Sequence, residues 1–215
     1  MTRPNLGKQP RLRPWIIEKG IDLPSLVNTH VSATVATRQW VRYVQRPPKP
    51  NRNIMTKFYA STVSERFNSG GGGAILVQGI KVYITPDVIT HYFTAPYVNV
   101  NDVCGIDWIK KFDQFQERMV EALRMDGEER WEQGFGLYRR DVQVDVAFWN
   151  TFLTYSLIPP QYHTEIFYEK GRLLHRLKTG RPIDIGLVIF RAIYNCGHND
   201  STSMVFPCFI TAFYQ

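Results

Sequence analysis

Cysteine is scarce in this chain. Cys104, Cys196 and Cys208 are three among 215 residues, an odd and sparse set that cannot make the paired framework of a disulfide-stapled secreted domain. Long apolar runs are missing too. No stretch reaches the roughly 18 uninterrupted apolar residues of a membrane-crossing helix, and no basic-then-apolar leader opens the sequence. Together these features point to a reduced intracellular setting, nuclear or cytoplasmic, with no transmembrane association.

Catalytic signatures are also absent. Gly70-Gly71-Gly72-Gly73 is not followed by the Lys-Ser/Thr ending of a phosphate loop, and its spacing is not that of a dinucleotide fingerprint. It reads as a flexible turn. G-x-S-x-G, H-E-x-x-H and zinc-finger spacings do not occur.

Negative charge is sparse at the start of the chain. Residues 1–52 hold ten Lys and Arg against two Asp and Glu, a balance of +8, whereas residues 53–215 hold sixteen against seventeen, a balance of −1. The net charge of +7 therefore belongs to the first quarter. A basic stretch of this kind can gather at phosphate backbones, or it can serve solubility alone.

What is abundant is apolar and aromatic surface, 44% and 13% of the residues, enough for one substantial core. We expect a mainly α-helical globular domain with a small β-hairpin and a flexible basic N-terminal arm. The arm spans residues 1–52, with Trp15-Ile16-Ile17 docking on the body, a short helix near residues 34–43, and Arg46-Pro47-Pro48-Lys49-Pro50 as an extended linker. The domain spans residues 53–215.

Within it, Ile54 and Phe58 recur at helical spacing. Ile75-Leu76-Val77 and Val82-Tyr83-Ile84 predict strands turning at Gln78-Gly79. Thr85-Pro86-Asp87 predicts a helix cap with proline at the first helical position, and residues 97–107 read as a loop. Trp108, Phe112, Phe115, Met119 and Leu123 mark an amphipathic helix over 108–125.

Val142, Val144 and Val146 fit either a strand or a helix, and the aromatic face that follows favours a helix from Val144, stopped by Pro159-Pro160. A helix beginning near His163-Thr164-Glu165 runs to Gly180, another spans Ile183 to Tyr194, and residues 195–200 form a turn. Phe206-Pro207 leads into a last helix or packed segment. Because the chain stops just after an apolar-rich run, it reads as a fragment whose last element continues.

Several side chains carry chemistry. Cys196, His198 and Cys208 are candidate metal ligands without paired spacing. Asp141, Asp145, His163, Glu165, Glu169 and His175 offer acid–base groups; on a single helix Glu165 and Glu169 would share a face. Cys104, with His30 or His91, is a candidate reactive thiol. Each is more economically read as packing, capping or solvation, so no catalytic residue, cofactor or metal ligand is assigned.

A distributed set of landmarks resembles a known family. Lys57-Phe58-Tyr59-Ala60, the segment from Ile75 to Val82, Thr85-Pro86, Trp149-Asn150-Thr151-Phe152-Leu153, Leu157-Ile158-Pro159, His163-Thr164, the segment from Gly180 to Gly186, and Phe206-Pro207-Cys208-Phe209-Ile210-Thr211 follow, in order, the putative plant transposon protein domain found in retroelement-derived proteins. The resemblance covers residues 53–215 and implies a mobile-element origin without a catalytic assignment. After His163, Lys170, Arg172, His175 and Lys178 replace positions that are leucine-rich in that family.

Three functional classes follow. The first is a noncatalytic structural or protein-interaction module with a protein partner or self-association. The second is a nucleic-acid-associated module contacting DNA or RNA through Arg11, Arg13, Arg38, Arg42, Arg46, Lys49 and Arg52. The third is an enzyme whose site assembles from distant residues.

Overall fold

The computed structural model describes residues 15–45, 47–62, 72–98, 112–125, 137–157, 165–166, 168–198 and 203–214. Over these residues the architecture is mainly helical with a two-stranded antiparallel hairpin, as expected.

The described part of the basic stretch is packed. Ile16 N–H donates to Met204 O at 3.0 Å and Ile21 N–H to Val44 O at 2.7 Å. A 3-10 turn, Leu23–Leu26, leads to α1 (His30–Thr37), where Thr29 caps the first turn by accepting from Ser32 N–H. Val31, Val35, Trp40, Tyr43 and Val44 lie in the same core as the rest of the chain.

The single helix expected over 34–43 is two helices, α1 and α2 (Val41–Val44). Gln39 N–H bonds Ala36 O and Trp40 N–H bonds Val35 O, with Gln39 at φ 56. This is a Schellman ending, and its left-handed residue turns the chain so that Trp40 enters the core.

Helix α3 (Arg52–Thr62) begins where Asn51 Oδ1 accepts from Asn53 and Ile54 N–H. It buries Ile54, Met55, Phe58, Tyr59 and Thr62, one face of a helix. Strands β1 (Gly73–Val77) and β2 (Ile80–Ile84) then pair with Val77 opposite Ile80. Gln78 and Gly79 both have positive φ, 52 and 82, the backbone of a two-residue hairpin turn.

Thr85 caps α4 (Pro86–Tyr92), accepting from Val88 N–H, with Pro86 at the start. Ile89 is its buried anchor, and a second Schellman ending, with Thr94 at φ 51, closes it.

Helix α5 (Phe112–Leu123) covers the described part of the amphipathic segment, and Met119, Val120 and Leu123 are buried. Residues 99–111 lie outside the described residues, and with them most of the expected loop at 97–107, Cys104 and the first turn of that segment. Strand β3 (Leu137–Tyr138) is followed by a 3-10 turn, Arg139–Asp141. The alternating valines resolve as α6 (Val144–Ser156), starting at the expected residue. Val142 instead forms a bridge with Arg124.

The helix expected near residues 163–165 begins later. Glu165–Ile166 is a short strand, β4, paired with β3, and α7 is Tyr168–Lys178. Burying Ile166 opposite Leu137 commits this segment to the ladder. Glu165 and Glu169 therefore do not share a helix. Pro159-Pro160 and His163 lie outside the described residues.

Helix α8 (Ile185–His198) runs through Asn195-Cys196-Gly197-His198, which the sequence predicted as a turn. Its last turn is held by tertiary contacts. Cys196 is buried, and the His198 ring stacks on Tyr194 at 4.1 Å between centroids.

Gly186 near the start of α8 is a packing device: a Cβ there would lie 2.1 Å from Thr90 Oγ1 and 2.2 Å from Pro86 O. The missing side chain lets α8 lie directly on α4. Finally, α9 is Pro207–Tyr214. Among the described residues no helix is long and apolar enough to cross a membrane.

Candidate binding cleft

Helix α9 starts without a local cap, since Phe206 precedes Pro207 and has no side-chain acceptor. The missing acceptor comes from the other end of the chain. Glu18 Oε2 accepts from Cys208 N–H at 3.0 Å and Oε1 from Phe209 N–H at 2.9 Å. These are the second and third helical residues, the groups an N-cap side chain normally satisfies. Burial raises the Glu18 pKa, and the two N–H bonds oppose that shift. The Cys208 thiol beside it is pushed far above the usual thiol range, first by burial and then by the Glu18 charge. It is a buried, packed thiol.

Glu18 lines a cleft of ≈ 140 Å³ bounded by α2, the segment after it, the end of α4 and the start of α9. Tyr92, Phe93, Phe206 and Phe209 supply aromatic wall, and Pro47 and Pro48 a rigid one. Tyr43 and Ser156 tie the walls together: Tyr43 OH donates to Ser156 O at 2.9 Å, and Ser156 Oγ donates to Lys19 O at 3.0 Å. Two exposed cations complete the lining. The Arg42 guanidinium lies 4.5 Å from the Tyr92 ring centroid, and Lys19 Nζ 4.0 Å from that of Tyr155. Among the described residues neither has a carboxylate partner.

Among the described cations expected to contact nucleic acid, Arg42 alone lines this cleft. Arg38 faces elsewhere. Its guanidinium donates to Arg181 O and Arg176 O, both at 2.9 Å, and burial lowers its pKa. Those bonds tie α1 to the end of α7. Lys49 is exposed, and Arg52 is exposed with its guanidinium 5.9 Å from the Trp15 ring. Arg11, Arg13 and Arg46 lie outside the described residues.

The other candidates stay dispersed. Cys196 Sγ donates to Ser203 O at 3.1 Å, and His198 is exposed on α8. Among the described residues no group of three potential ligands converges on a metal position. Asp141 pairs with Arg140 at 3.4 Å and Asp145 with Lys178 at 2.7 Å. His175 is buried, which lowers its pKa; Glu169, His30 and His91 are exposed.

The putative plant retrotransposon-related domain matches residues 36–215. The chain belongs to that family. The match starts upstream of the landmarks at residues 53–215 and takes in Trp40, Arg42 and Tyr43, so α2 and all of the cleft lining except Glu18 and Lys19 fall within the family domain. No curated protein and no solved structure gives a significant match.

Sequence reasoning passed over Glu18, Lys19, Tyr92, Phe93, Phe206 and Phe209 as a site. One signal was present: Phe206-Pro207 opens a helix without a capping side chain, and such a helix draws its acceptor from elsewhere.

Proposed function

We propose that this retrotransposon-related domain is a noncatalytic protein-interaction module that self-associates through its hairpin. One observation carries the reading: β2 is an exposed edge strand whose sequence is complementary to itself. Leu76, Ile80 and Tyr83 are 62%, 57% and 52% exposed, and Lys81 is exposed beside them. Ile75, Val77 and Ile84 point inward to the core, whereas Leu76, Lys81 and Tyr83 occupy the outer face.

Ser61 Oγ, on α3, donates to Leu76 O, so Leu76 turns its carbonyl away from β2. Its partner Lys81 likewise turns its N–H and C=O away from β1. Among the described residues β2 has no second strand neighbour. An antiparallel second copy centred on Val82 would place Lys81 opposite Tyr83 of that copy, exchanging both backbone bonds. Within one hairpin Lys81 Nζ already lies 5.1 Å from the Tyr83 ring centroid, and the same cation–ring attraction would act across the pair.

The test is sedimentation over a broad dilution series with a charge exchange. Wild type should show a reversible dimer, and Tyr83→Lys should weaken it by setting lysines opposite one another. Adding Lys81→Glu to that variant should restore it. A wild type that stays monomeric, or a dimer indifferent to Tyr83→Lys, would overturn the reading.

A further inference from the structure

We propose that the cleft beneath Arg42 is a nucleotide site, with the base held among its rings and the phosphate at the Arg42 and Lys19 rim. This goes beyond self-association through the hairpin and uses different residues.

The lining has two parts that suit one ligand. Tyr92, Pro47 and Pro48 supply apolar surface, backed by the buried Phe93 and Phe209, which favours a planar ring through burial and stacking. Arg42 and Lys19 are exposed cations without carboxylate partners among the described residues, so an anion has two charges to meet. Glu18, also in the lining, is already engaged by the Cys208 and Phe209 N–H groups, its own N–H and the Cys208 thiol, so it anchors α9 and leaves the ligand to the apolar surface and the cations.

A neutral aromatic leaves the cations unused, and a bare phosphate leaves the rings unused. A nucleotide engages both. The opening of the cleft admits either a free mononucleotide or one unit of a single strand, and these share the same chemistry.

Calorimetric titration of the full chain tests this with AMP, adenosine, inorganic phosphate and a short adenine single strand. AMP should bind, with adenosine and phosphate each at least tenfold weaker. A strand that binds tighter than AMP identifies nucleic acid as the source, and equal affinities identify the free nucleotide. Arg42→Ala removes an exposed side chain and should weaken AMP about tenfold, the scale of one charge-assisted bond.

Lys57→Ala, on the exposed face of α3, removes the same charge and should leave binding unchanged. Equal binding of AMP and adenosine, equal binding of AMP and phosphate, no AMP or strand binding at all, or equal losses in the two variants would each overturn the proposal. None of these outcomes depends on dimer formation, so the site and the hairpin can fail separately.

Discussion

Glu18 accepts the N–H of Phe209 at 2.9 Å across 191 residues of sequence. With Cys208 it forms the cap of α9, so a residue in the basic stretch closes a helix near the other end of the chain. Glu18→Ala should leave two N–H groups without acceptors and cost about 1–2 kcal/mol, the usual value of a lost cap. Urea unfolding of the variant measures it. An unchanged midpoint would show that water replaces the carboxylate at no cost.

The pH dependence of stability should have opposing contributions. Burial raises the Glu18 pKa from its ordinary 4.5. The folded state then holds this proton more tightly than the unfolded chain, so stability from this group falls as pH rises from about 4.5 through the raised value. For Asp145, burial works upward, but the hydrogen bond from Lys178 and that from Val146 N–H override it and lower the pKa from 3.8. Its contribution is present above 3.8 and is lost as pH falls through the lowered value.

Lys19 and Arg42 line the same cleft as Glu18, and Cys208 and Tyr43 lie against it. Subtracting the profile of Glu18→Gln from that of wild type isolates the first contribution. A difference that rises with pH would contradict the assignment.

Gly186→Ala sets helix propensity against packing. Alanine gains about 1 kcal/mol over glycine within a helix, yet its Cβ would sit 2.1 Å from Thr90 Oγ1 and 2.2 Å from a backbone carbonyl. Overpacking costs roughly 1–3 kcal/mol, and a main-chain oxygen cannot swing aside. Net destabilisation is expected, and thermal unfolding reads it directly.

Gln39→Gly should act in the opposite direction. Gln39 holds a left-handed backbone at φ 56, which costs a side-chain-bearing residue about 1–2 kcal/mol. Glycine avoids that strain but loses more entropy on folding. A net gain of about 0.5–1 kcal/mol is expected, visible as a higher urea midpoint.

Local chemistry made much of the fold legible. Gln78-Gly79 marked the hairpin, Thr85-Pro86 the start of α4, and the aromatic face after Val144 the start of α6. Each depends on neighbours a few residues apart. Distant partners set the features that were missed. Ile166 becomes strand because Leu137 pairs with it, and α1 ends where Trp40 turns into the core. The last turn of α8 is kept by stacking and burial that overrule its turn-like composition.

The cleft was illegible for the same reason. Arg42 stood out as a cation, but its ring partner Tyr92 is fifty positions away, and Glu18, which lines the same cleft, is one of two acids among the ten bases of residues 1–52.

The long reach from Glu18 to α9 also orders events during synthesis. At about 5–20 residues per second, the ribosome releases Glu18 roughly 10–40 s before Phe209. For that interval the carboxylate has no helix to close and remains hydrated. Its burial, and with it one side of the cleft, must wait until nearly all of the chain described here has emerged.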